Sequence, residues 1–270
     1  MQNSALPGVY ETTKKDGSIY YRASFTYEGK HISLGSFSQK EQAHQAYLDA
    51  KELMQNTAIT LDTVTLAEKN AFTLSLEKQI CLLNLRDNHI YFSTPMYVRN
   101  KYFYYFLPSG DRLTFDMDDL FFYASHKIMQ RKGHLFVADY GMQLNIVNRY
   151  GIKNYGVLGR DYRFRNGDPF DFRYENIEIL NAYHGVTPLL SKGKGKYKAQ
   201  IHLKGNFVIG TYDTSLEAAI AYNKAIDIVR KNGITKNFTQ NETEGIAPSV
   251  YAKLYSEIRI PEKIQNYRAE

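Results

Sequence analysis

Lys196, Lys198, Gln200, His202 and Lys204 stand at every second position, alternating with Tyr197, Ala199, Ile201 and Leu203. Such alternation sends the two sets to opposite faces of a β-strand. One face packs. The other offers ammonium groups for phosphate oxygens and an amide able to pair bidentately with adenine. Lys192 and Lys194 extend the run, and residues 185–205 contain no acid to offset these lysines. An acid-free basic stretch is the footprint of a held polyanion, although a lysine-rich solvated strand edge has the same composition.

A second constellation lies at 160–184. Arg160, Arg163, Arg165 and Arg173 are cations suited to phosphate, yet Asp161, Asp168, Asp171 and Glu175 are as numerous, so structural ion pairs are equally expected. Asp161, Asp168, Asp171, Asn176 and His184 are also a donor set from which a divalent-metal site can be assembled. A third group, Asp116, Asp118 and Asp119 with His126 and His134, is explained more cheaply by acids at a helix start. The single cysteine, Cys81, stands among Ile80, Leu82 and Leu83 and reads as core. It cannot form an internal disulfide or a zinc ribbon, which fits a reducing compartment.

The elements that must position these groups come from a chain of 270 residues, 43% hydrophobic and 23% charged, with 18 Gly and 7 Pro. That length and composition suit two or three small folded domains and exclude disorder as the main state. No apolar run approaches the length of a membrane span and no leader is recognisable, so a soluble, unexported protein is expected. The net charge of +6 is too modest to name a partner. Its distribution matters more, because residues 1–54 are balanced whereas residues 185–205 are not.

The two ends of the chain repeat one another. Gly8-Val9, Tyr21-Arg22-Ala23, Gly29-Lys30, Leu34-Gly35-Ser36-Phe37 and Ala43 to Tyr47 find counterparts in Gly185-Val186, Tyr197-Lys198-Ala199, Lys204-Gly205, Ile209-Gly210-Thr211-Tyr212 and Ala218 to Tyr222. Each copy reads as three short strands and a helix. Asp16-Gly17, Glu28-Gly29-Lys30 and Lys204-Gly205-Asn206 supply hairpin turns. Ser38 with Glu41, and Thr214 with Glu217, have capping-box spacing at the helix starts. Ala43, Ala46, Tyr47 and Ala50, like Ala218, Tyr222, Ala225 and Ile226, give each helix a stripe of mostly small side chains, and Arg230, Lys231 and Gly233 suit the second helix's end.

At these residues both copies resemble the DNA-binding domain of plant ethylene-response factors, the Apetala-two type, which also occurs in bacterial and phage endonucleases. The resemblance implies a three-stranded sheet that enters the major groove. By position, its contact candidates are Arg22, Ser24, Thr26, His31 and Ser33 in the first copy and Lys196, Lys198, Gln200, His202 and Lys204 in the second, with Lys194 beside them. The family often uses tryptophan on these strands. This chain has none, and Tyr21 and Tyr197 take the related places.

Between the repeats, Leu66, Asn70, Leu74 and Gln79 to Leu83 suggest a helix in a connecting segment, residues 55–85. Tyr97 to Phe106 with Arg112 to Phe115 reads as a hairpin around Pro108 to Asp111, and Asp116 to Met129 as a capped helix. The stretch Arg163-Phe164-Arg165-Asn166-Gly167-Asp168-Pro169-Phe170-Asp171-Phe172-Arg173-Tyr174-Glu175-Asn176-Ile177 resembles the core of HNH homing endonucleases. By that resemblance the general base falls on Phe164, a metal ligand on Arg163 and the middle asparagine on Phe172, and only Asn176 keeps its polar type. Phenylalanine accepts no proton and arginine repels a cation, so general-base catalysis at a metal-bound phosphate is not expected.

The expected fold is α+β. Two ethylene-response-factor-like domains, residues 1–54 and 183–240, flank a helical connector, 55–85, and a degenerate HNH-like ββα domain, 86–182, with a C-terminal extension, 241–270. The expected activity is sequence-specific binding of duplex DNA without cleavage, by a cytoplasmic, nucleoid-associated regulator derived from a bacterial or phage mobile-element endonuclease. Its contacts are the two sheet faces with Arg163 and Arg165, and it uses no metal or cofactor. Two alternatives stand beside it. One is an active metal-dependent nuclease with a rearranged site; the other is an interaction module whose sheets bind protein.

Overall fold

A computed structural model describes residues 6–66, 72–189, 195–243 and 245–268. The chain is α+β, with small antiparallel sheets and helices. In order the elements are β1 (Val9–Thr13), β2 (Ile19–Tyr27), β3 (Lys30–Phe37), α1 (Lys40–Gln55), α2 (Leu61–Leu66), α3 (Leu76–Asn88), β4 (Met96–Val98), β5 (Tyr102–Phe106), β6 (Arg112–Asp116), α4 (Leu120–Ser125), β7 (Met129–Arg131), β8 (His134–Asp139) and β9 (Met142–Asn145). Then follow β10 (Tyr162–Phe164), β11 (Ile177–Ile179), β12 (Val186–Leu189), β13 (Lys196–His202), β14 (Asn206–Tyr212), α5 (Ser215–Lys231), α6 (Pro248–Glu257) and α7 (Glu262–Gln265). Among the described residues no helix is long and apolar enough to cross a membrane.

Two compact units result: residues 1–145 with 168–176, and residues 146–167 with 177–270. The stretch 86–182 therefore contributes to both. Residues 168–176 join the first unit because Thr114 N–H donates to Phe170 O (2.9 Å) and Phe172 N–H to Thr114 O (2.8 Å), extending the edge of β6.

The repeat is structural down to its irregularities. β1-β2-β3 and β12-β13-β14 are meanders with the same pairing, Val9 opposite Ala23 and Val186 opposite Ala199. In each meander the third strand is bulged at the same place, with Leu34 or Ile209 as the extra residue where the pairing passes from Ala23 to Ser24 or from Ala199 to Gln200. The β2–β3 turn puts Glu28 and Gly29 at φ 47° and 77°, the left-handed pair a tight hairpin requires. Each meander begins at a glycine with positive φ, Gly8 or Gly185, whose carbonyl accepts from Ser24 N–H (2.9 Å) or Gln200 N–H (2.8 Å). A Cβ there would lie 2.2 Å from a ring carbon of Tyr47 or of Tyr222, so the tyrosine of each helix packs where only glycine fits.

Below each sheet lies its helix. Ala23, Ile32 and Leu34 meet Ala43, Ala46, Ala50 and Leu53 in the first unit, and Ala199, Ile201 and Ile209 meet Ala218, Tyr222, Ala225 and Ile226 in the second. Small side chains let helix and sheet approach closely, as the alanine stripes imply. The second core also takes in Phe238, Ile258, Ile260 and Ile264, so the residues after 240 are part of it.

Several local expectations are corrected. Thr214 and Glu217 form the capping box of α5, but α1 is capped at Gln39 without a side-chain bond. The structural equivalent of Thr214 is Gln39, which leaves Ser38 one residue too early. Leu66 is 80% exposed at the end of the short α2, and Asn70 lies outside the described residues. The core helix of residues 55–85 is α3, whose buried residues include Ile80, Cys81, Leu82 and Leu83. Asp116 ends a strand, and only Leu120–Ser125 of the expected 116–129 helix is α-helical.

In the expected ββα segment, β10 and β11 form the hairpin, but residues 180–185 contain no helix before β12 begins. Their backbone is committed elsewhere. Leu180 and Asn181 N–H groups both donate to Asp161 O (2.8 and 2.9 Å), and the Asn181 amide bonds Asp161 Oδ1 (2.9 Å) and Val186 O (2.7 Å).

Candidate nucleic-acid interface

Pairing opposite residues across an antiparallel ladder puts them on one face, so the register identifies what each sheet turns away from its helix. In the first, Tyr10, Arg22 and Ser36 form one row, Ser24 and Ser33 the next, and Thr26 and His31 the last. Arg22, Ser24, His31 and Ser33 line a shallow concavity together with Tyr10 and Thr12, and Ser24, 7% exposed, forms its floor. Four of the residues singled out in the sequence are thus brought together. Thr26 shares the face but not the concavity. Tyr10 and Thr12, from β1, were missed, although their alternation with Val9 and Glu11 carries the same period-two signal.

In the second sheet the corresponding rows are Thr187, Lys198 and Thr211; Gln200 and Val208; and His202 and Asn206. Lys198 stands where Arg22 does, Gln200 where Ser24 does, and His202 where Thr26 does. The His202 ring bonds Asn206 Oδ1 (2.8 Å) and its carbonyl accepts from Lys236 Nζ (2.9 Å). Lys204 lies in the turn beyond β13 rather than on the strand. Lys192 and Lys194 lie outside the described residues.

The acid-free reading of this face needs correcting. Lys196 Nζ lies 3.0 Å from Asp213 Oδ1, both exposed, and Asp213 falls beyond the acid-free stretch 185–205. Lys198 and Arg22 have no carboxylate partner among the described residues. A cation at the row beside the bulge is therefore the shared charge of the two faces.

The arginines of the 160–173 stretch are all paired. Arg160 holds Asp161 through Nε (2.9 Å) and Nη2 (2.6 Å), Arg173 holds Asp171 at 2.9 and 2.7 Å, and Arg163 and Arg165 share Glu178 at 2.9 and 3.7 Å. Asp161 is the centre of a buried network that also takes Lys153 Nζ (3.0 Å) and Val157 N–H (2.8 Å). Burial pushes its carboxyl upward, but the bonds from Arg160, Val157 and Lys153 outweigh this and hold it below the ordinary carboxylate range. Burial, then the Lys153 charge, lowers the His184 imidazole. Two of the four arginines, Arg163 and Arg165, remain largely exposed and carry one more charge than the carboxylate they share.

The positions to which the HNH resemblance would assign the base and the metal ligands do not offer metal donors. Phe164 is buried, Phe172 stacks on Phe115 at 5.4 Å, and the Asn176 amide donates to Asp171 O (2.8 Å). Asp161 and His184 belong to the second unit and Asp168, Asp171 and Asn176 to the first. Among the described residues no three His, Cys, Asp or Glu side chains converge as metal ligands. No protein-family model, curated protein or solved structure matches the chain.

Proposed function

We propose that this chain binds duplex DNA through the outward faces of its two repeated sheets and does not cut it. The observation that carries the reading is the recurrence of a cation, Arg22 and Lys198, at the same row beside the same bulge on two copies of one scaffold. A two-layer sheet and helix held by Gly8–Tyr47 and Gly185–Tyr222 presents that row rigidly, with hydroxyl, amide and imidazole groups on the rows beside it. Cations there neutralise phosphates, and Gln200, His202, Ser33 and His31 supply base-edge donors and acceptors. In this reading the ends are ethylene-response-factor-like domains and the HNH-like stretch is a frame whose reactive positions hold Phe164, Arg163 and Phe172. Arg163 and Arg165 add charge to it. The protein then acts as a nucleoid-associated transcription regulator of mobile-element origin.

The test is fluorescence anisotropy of the full chain on duplexes selected from a random pool, over a salt series. Each phosphate contact contributes about 0.9 to the slope of log affinity against log salt. Arg22→Ala and Lys198→Ala are each expected to lower the slope by about that amount. Salt-insensitive binding, or unchanged slopes in both variants, would favour a protein partner for these faces instead.

A further inference from the structure

The first unit carries another sheet with an aromatic and cationic face. One side of β4-β5-β6 is core, with Met96, Phe103, Tyr105, Leu113 and Phe115 wholly buried. On the other side Tyr97 and Phe106 are buried in the core of the first repeat, and the register sets Tyr97 opposite Tyr104, and Tyr104 opposite Thr114. The guanidinium carbon of Arg112 lies 4.3 Å from the Tyr104 ring centroid. That of Arg99 lies 5.7 Å from the same ring and 4.8 Å from that of Tyr97. Both arginines are exposed while Tyr104 is half-buried.

Neither guanidinium has a carboxylate or a hydrogen-bonded partner among the described residues, in contrast to the paired arginines of 160–173. Two acids tied to this face are engaged otherwise. Asp87 takes Arg86 (2.6 Å) and the Tyr97 hydroxyl (2.8 Å), and Asp116 accepts from Tyr174 N–H (2.7 Å). Stacking on a ring fixes the guanidinium plane while leaving its in-plane N–H fork open, and that fork matches the spacing of phosphate oxygens. A side chain already held in place also loses less freedom on binding.

We propose that Arg99 and Arg112, braced on Tyr104, form a phosphate-backbone grip on the first unit, distinct from the Arg22 face and directed at the phosphodiesters of duplex DNA. The proposal rests on the DNA-binding reading and supplies the first unit with charge that its repeated sheet, with Arg22 as its one fixed cation in the outward rows, lacks.

The experiment measures the salt slope of the full chain on a selected duplex for wild type, R99Q/R112Q, R99K/R112K and the comparators R22A and K198A. R99Q/R112Q is expected to lower the slope by about 1.8, two contacts at about 0.9 each, and R99K/R112K to keep most of it with several-fold weaker binding. An unchanged slope in R99Q/R112Q, with lowered slopes in R22A and K198A, overturns the grip and leaves the sheet-face reading standing. A wild-type chain that shows no salt-dependent binding overturns both. The lysine pair retains both charges and checks the fold by its melting. A slope lost equally in both double variants would assign the effect to packing on Tyr104 and sink the proposal.

Discussion

Asp49 and Lys224 occupy the same position on the two repeated helices and hold opposite ends of backbone. Asp49 Oδ2 accepts from Thr73 N–H (2.6 Å) and Leu74 N–H (3.2 Å), just before α3 begins. Lys224 Nζ donates to the carbonyls of Tyr255 (2.5 Å) and Ile258 (2.7 Å), where α6 ends. The backbone leading into α3 offers N–H groups and the end of α6 offers carbonyls. One scaffold position thus holds the approach to a helix in the first unit and the end of a helix in the second, and the charge is reversed to match.

Substitution at this position should therefore loosen different segments. Asp49→Ala removes charge-assisted bonds from the Thr73 and Leu74 N–H groups, worth about 1.5–3 kcal/mol, and Lys224→Met removes charge-assisted bonds of similar worth. Hydrogen exchange is expected to rise at residues 73–78 in the first variant and at residues 254–258 in the second. Exchange that rises diffusely across the repeated sheets in both would show that these side chains serve the core instead.

The repeat was legible because its determinants are local: alternating strands, Gly-containing turns and alanine stripes each leave a short-range pattern. The helix stripe of Ala43, Ala46 and Ala50 is buried as its spacing implies. Asp49 and Lys224 left no such trace, since a charge within a helical stripe is explained only by a backbone 24 or more residues away. Ser38 misled because capping depends on where the helix starts to within one residue, and periodicity fixes that boundary less sharply. On the candidate face, Lys196 read as unopposed because Asp213 comes from the end of the neighbouring strand, beyond the acid-free stretch 185–205. The path of 168–176 onto β6 runs through two backbone bonds to Thr114, which no side-chain pattern encodes, together with the Phe172–Phe115 stack and the bond from Tyr174 N–H to Asp116.

Acid should attack the second unit through Asp161. Its carboxyl is depressed in the folded state, so its contribution is fully present above the unfolded value, about 3.9, and is lost as pH falls through the folded one. Asp161→Asn strips the charge that compensates Lys153, whose side chain is 8% exposed. Breaking a buried pair of this kind costs about 3–5 kcal/mol. The stability gap between wild type and D161N, followed by urea unfolding, is expected to be constant from about pH 5 to 8 and to close below about pH 4. His184, depressed by burial, destabilises both proteins as it protonates and so cancels in the difference. A gap that persists unchanged at pH 3 would mean that Asp161 acts by shape and not by charge.

The stretch 163–177 should neither cleave nor nick DNA with magnesium, manganese, zinc or nickel. Phe164 has no lone pair to accept a proton from water, and its ring is buried rather than presented. Absence of a general base alone lowers such a rate by about 10² to 10⁴. Arg163 adds positive charge where a ligand would be needed, and it is tied to Glu178 at 2.9 Å. Asn176 keeps its polar type, but its amide donates to Asp171 O and braces the 171–176 turn. Asn176→Ala is therefore expected to lower stability by about 1 kcal/mol through loss of this buried hydrogen bond, with no change in a nicking assay. The assay is supercoiled-plasmid relaxation at high protein concentration, with an identically purified inert variant to expose contaminating nuclease. Metal-dependent nicking that vanishes in Asn176→Ala or Asp168→Ala would establish a rearranged nuclease site and overturn the non-cleaving reading.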